Sequence, residues 1–71
     1  MTRYHVRDSK GCVLWTGWRA RALGVARDVA RREGEALVTM LRKDQRGDTY
    51  RTVEKVFPDG GTETVVEDER I

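Results

Sequence analysis

Apolar and polar residues alternate with two different periods along this chain, and the switches between them predict its elements. "TRYHVR" and "CVLWTG" are short β-prone runs on either side of the polar, glycine-bearing "DSKG", which is the pattern of a hairpin. Pairing Val6 with Val13 places Tyr4, Val6, Val13 and Trp15 on one face, and His5, Arg7, Cys12 and Leu14 on the other. The first set is consistently apolar and is the expected core side. From Trp18 or Arg19 to Glu33 the period lengthens to that of a helix. Trp18, Ala22, Val25, Ala26 and Val29 form one stripe, with Leu23 and Ala30 at its edge. Gly34 is placed to end the helix in a left-handed conformation, and Arg31 and Arg32 suit its last turn. Thr16 is the expected capping residue, with no glutamate or glutamine three positions later to complete a capping box.

"EALVTMLR" is the longest apolar run and does not alternate cleanly, as expected of a strand covered by the helix on one face and partly covered on the other. "KDQRGD" reads as a polar loop. "TYRTVEKVF" and "TETVVE" read as a second hairpin around "PDGG", where proline presets one torsion and Asp-Gly accepts the positive φ that follows. "DERI", within residues 67–71, is expected to fray. The order β-β-α-β-β-β implies an α+β fold, one amphipathic helix packed on a small antiparallel or mixed sheet. The helix stripe is expected to rest on Tyr4, Val6, Val13, Trp15 and Leu37.

The "YHV" strand, the glycine turn, the tryptophan and the segment "RARALGVARDVARREGEALVT" together resemble small bacterial β-β-α-β-β domains of unknown function. In those domains an Ala-x-x-x-Ala-Arg-x-x-Ala helix ends in glycine and leads into an apolar strand. Ala22, Ala26, Arg27, Ala30 and Gly34 stand at those places here, and the resemblance spans roughly half the chain. It implies the architecture and carries no activity with it. The long final hairpin departs from the pattern.

Length and composition narrow the function classes. Seventy-one residues make one domain, 1–71. At this size only about 60% of the unfolded surface is buried on folding, so a partner subunit would add useful area. No apolar run approaches the roughly 20 residues that span a bilayer, and "MTRYHVRDSK" has no apolar stretch suited to a secretory signal. The single Cys12 can neither close an internal disulfide nor complete a zinc site, so a reducing cytoplasm is the expected setting. Net charge is only +2, but it is unevenly spread: residues 1–55 hold 13 Lys/Arg against 7 Asp/Glu, and residues 56–71 hold 1 against 5. Basic body and acidic tail can offset one another within one chain or between two.

Candidate chemistry is sparse. Arg27 and Arg31 stand one turn apart on the outer helix face, and Asp28 is spaced to pair with Arg32. Gly24 in mid-helix, one turn from Ala20, makes a small-residue patch that permits close approach by another element. Ala20, Gly24, Arg27 and Arg31 are therefore the candidate protein-interface residues. The alternative surface is for nucleic acid: Arg21, Arg27, Arg31 and Arg32 with Arg42, Lys43 and Arg46 of the following loop. Among the aromatics, mostly needed for the core, Tyr50 is the one expected to be exposed. Cys12 and His5 share a strand face, yet no orienting acid or oxyanion donor accompanies them. "RGD" at 46–48 reads as a turn. The expectation is a small non-catalytic intracellular binding module that works through protein contacts, as a homodimer or as an accessory or inhibitor protein. No cofactor, metal, membrane or small-molecule substrate is expected.

Overall fold

The computed structural model describes residues 2–71. Five strands form one antiparallel sheet with a single helix across it. The strands are β1 (Thr2–Asp8), β2 (Gly11–Thr16), β3 (Ala36–Lys43), β4 (Thr49–Val56) and β5 (Thr62–Arg70), and α1 spans Arg19–Glu33. Their spatial order is β2-β1-β3-β4-β5. The helix lies over β1 and β3 and reaches β2 and β4, but it does not touch β5.

The helix forms where the apolar period predicts and buries Ala22, Ala26, Val29 and Ala30. Val25 and Leu23 pack at the margin of the same cluster. Three alanines on this stripe bring the helix backbone close to the sheet, and the arginines Arg27 and Arg31 stay exposed. Trp18 does not join the stripe: it is the N-terminal flanking residue, in extended conformation and 75% exposed. Thr16 does not cap the helix either. Its hydroxyl accepts from the Trp18 N–H at 3.2 Å, which fixes the entry turn instead. Gly34 ends the helix as expected, at φ 93°, donating its N–H to the Ala30 carbonyl at 2.7 Å.

The first hairpin overturns the expected core face. Its turn-proximal pairs are Asp8↔Gly11 and Arg7↔Cys12, but the next pair is Val6↔Leu14, leaving Val13 as an extra residue on β2. Beyond this bulge His5 faces Trp15 and Tyr4 faces Thr16. One inserted residue exchanges the two faces of a strand. Leu14 therefore packs against the core beside Tyr4 and Val6, while Val13 and Trp15 are 42% and 51% exposed. Leu37 also lies away from the helix, opposite Arg7 on the far side of the sheet.

The core is small in consequence. Its buried members are Val6, Ala22, Ala26, Val29, Ala30, Ala36, Val38 and Val56, and valine is the largest fully buried side chain among the described residues. Each fully buried valine contributes about 1.5–3 kcal/mol. Turn chemistry does the rest. In the loop after β3, the Asp44 carboxylate accepts from the N–H groups of Arg46 and Asp48, both at 2.9 Å, and so "RGD" is a tied turn. In "PDGG", Gly60 takes φ 88° and the Asp59 carboxylate accepts from Gly61 N–H at 2.7 Å. The segment expected to fray continues as strand through Arg70, and Ile71 N–H still donates to the Thr49 carbonyl.

Candidate functional site: the uncovered face of the sheet

Cross-strand partners share a face, so the registers lay out the side of the sheet that α1 does not cover. The central row is Trp15, His5, Thr39, Val53 and Val66. Towards the β1–β2 turn follows Cys12, Arg7, Leu37, Lys55 and Glu63. Towards the other end lie Arg3, Leu41, Arg51 and Glu69. A solvated antiparallel face ordinarily carries polar residues. Here its middle is Leu37, Thr39, Leu41 and Val53, all half-buried, with an exposed tryptophan at one side. The uncovered face thus carries large apolar side chains of its own, whereas the fully buried members of the covered side are all alanine and valine.

His5 and Trp15 form a parallel stack across β1 and β2, with ring centroids 4.1 Å apart and planes 2° from parallel. The His5 Nε2 atom is buried without a hydrogen-bond partner. Burial, and secondarily the charge of Arg7, hold the His5 pKa below its ordinary value. The imidazole is consequently a neutral, flat, largely apolar element of this face at pH 7. Cys12 is exposed, and the register sets it across from Arg7, one step along the same face from His5. Among the described residues no three His, Cys, Asp or Glu side chains gather as a metal site would require.

Charge on the face is polarised. Arg3 and Arg7 on β1 have no carboxylate within 4.0 Å among the described residues, and neither does Glu63 on β5 have a cation. Between them, Arg51 pairs with Glu69 at 2.6 Å and Lys55 with Glu35 at 3.5 Å. The basic body and acidic tail therefore meet within one chain, as Arg42–Asp68 at 2.8 Å also shows. That hydrogen bond raises the Arg42 pKa further, and the guanidinium also lies 4.7 Å from the centre of the Tyr50 ring. Tyr50 is half-buried, so the exposed aromatics are the two tryptophans.

Ala20, Gly24, Arg27 and Arg31 form one exposed row along the helix. Asp28 pairs with Arg31 at 3.7 Å, not with Arg32. Arg27 lies over the β4–β5 turn, its guanidinium carbon 3.5 Å from where a Gly60 Cβ would stand. Ala20 and Gly24 are exposed, and nothing approaches within 4 Å of a Cβ at Gly24. Arg31 and Arg32 occupy the last helical turn, close to Glu33, whose carboxylate accepts from the Ser9 N–H in the β1–β2 turn. Lys43 and Arg46 sit at the β3–β4 loop, which the antiparallel registers place at the opposite end of the sheet. The proposed arginine surface is thus split between two ends of the molecule. The sequence reading missed Leu37, Leu41 and Val53 as surface residues. The only available signal was the unbroken apolar run of β3, which feeds both faces at once. No family model, curated protein or solved structure matches this chain, and no helix is long and apolar enough to cross a membrane.

Proposed function

We propose that this chain is a non-catalytic binding module that presents the uncovered sheet face to a protein. The observation that carries the reading is the placement of Leu37, Leu41, Val53 and Trp15 on the side without a helix. Contiguous apolar surface on a small protein is a docking feature more often than a solvated one. Its make-up fits an interface, with aliphatic and aromatic groups in the middle and arginines and carboxylates at the rim. A cytoplasmic setting suits the exposed thiol of Cys12.

Site-specific photocrosslinking in the native cell tests this. A photoreactive residue at position 39, in the middle of the face, is expected to yield protein adducts, and one at position 21 on the outer helix is not. Absence of adducts from position 39, or equal labelling from both positions, overturns the reading.

A further inference from the structure

We propose that the occupant of the uncovered face is a second copy of the chain, packed sheet on sheet about a two-fold axis parallel to the strands and passing between β3 and β4. This rests on the reading of that face as a docking surface and names its partner.

The argument is one of register. An axis in this position lays β1 of one copy over β5 of the other, and β3 over β4, without shifting any residue along the strand direction. The rows described above then face themselves in reverse order. Arg7 comes over Glu63 of the second copy, and Arg3 over Glu69. His5 meets Val66, and Thr39 meets Val53. Leu37 and Leu41 meet Lys55 and Arg51, whose methylene stems cover apolar surface while their charges reach the rim. The two cations of this face without a partner are thereby set against carboxylates of the opposite edge, one of which, Glu63, is also unpaired. A two-fold interface must be self-complementary, and a face basic at one edge and acidic at the other meets that condition.

Area agrees with the same occupant. The four overlapped strands, of seven to nine residues, at about 3.3 Å rise and about 4.8 Å spacing give a face of about 500 Å² in projection. With side-chain relief, two copies approach the lower bound of stable interfaces, about 1,200 Å². Aligned sheets pack about 10 Å apart, a layer that Leu37, Leu41, Val53 and Val66 can fill, with β2 and its Trp15 flanking the four overlapped strands. It would supply a second apolar layer beside the small core of alanine and valine.

Sedimentation equilibrium of the full chain, from about 1 µM to about 1 mM, gives the decisive measurement. A reversible dimer is expected. Arg7→Glu and Glu63→Arg are each expected to weaken it by roughly tenfold, because the two-fold uses every substituted position twice. The double variant R7E/E63R is expected to recover most of the parent affinity. These positions are exposed, and circular dichroism of each variant verifies that the fold persists. A monomer throughout the range, a dimer indifferent to both single substitutions, or a double variant no better than either single one would overturn the proposal. A monomer that instead binds a thymidine oligomer, with quenching of Trp15, would overturn it in favour of a single-stranded nucleic acid on the same face. A monomer whose position 39 crosslinks to a different protein would overturn only the choice of partner and leave the binding-module reading standing.

Discussion

Glycine in the interior of a helix gives up about 1 kcal/mol relative to alanine, and Gly24 sits on an exposed face where a methyl group would touch nothing. Gly24→Ala is therefore expected to raise the unfolding free energy by about 0.5–1 kcal/mol. Urea unfolding measures it, and a loss of stability would show that another element needs the bare backbone at this point. His5 makes the opposite kind of statement. Burial holds its pKa below 6.5, so the unfolded chain takes up the proton more readily than the folded one. The associated stability is complete above the unfolded value and drains away as pH falls from there through the folded one. His5→Phe keeps a flat ring against Trp15 and removes the titration. Its stability profile between about pH 7 and pH 5 should be flatter than that of the parent. Equal slopes in this interval would assign the acid sensitivity to other groups.

At the level of elements, the helix and both later turns were legible because their signals are local. The alanine–valine period, Gly34 and "PDGG" each act within a few residues of themselves, and the structure has them where the sequence implies. The first hairpin was not, because its register depends on one residue, Val13, being squeezed out of the ladder. Alternation by itself favoured the set containing Val13 and Trp15, whose hydrophobicity is genuine but is spent on the other face. The helix selects the core face instead, through Tyr4, Val6 and Leu14. This assignment can be checked by truncation. Leu14→Ala is expected to cost about 1–2 kcal/mol, and Val13→Ala about 0.5 kcal/mol or less, in denaturant unfolding. The reverse ranking would restore the unbulged register. The candidate site was illegible for a related reason. Which half of the run Leu37–Leu41 faces the helix is decided by pairing with β1 and β4, and nothing within the run itself encodes it.

Across the whole molecule, cohesion falls off in one direction. The helix binds β1 and β3 most closely, touches β4 less, and leaves β5 with a backbone ladder to β4 alone. The ion pairs that tie β5 back, Arg42–Asp68, Arg51–Glu69 and Arg70–Asp48, join partly or largely exposed side chains, and such pairs contribute about 0–1 kcal/mol each. Amide hydrogen exchange at low protein concentration should accordingly rank β5 as the least protected strand and β1 and β3 as the most. Uniform protection across the five strands would mean that the hairpin is anchored by something beyond its ladder. The ladder of β5 has a further effect. Its pairing shifts twice, and Asp68 turns to φ 47° within it; β2, the other outermost strand, is short and bulged too. Such kinks interrupt the outward row of amides and carbonyls that an incoming chain would need for continuous zippering. Growth into fibrils by edge-to-edge addition of sheets is thereby discouraged at both flanks.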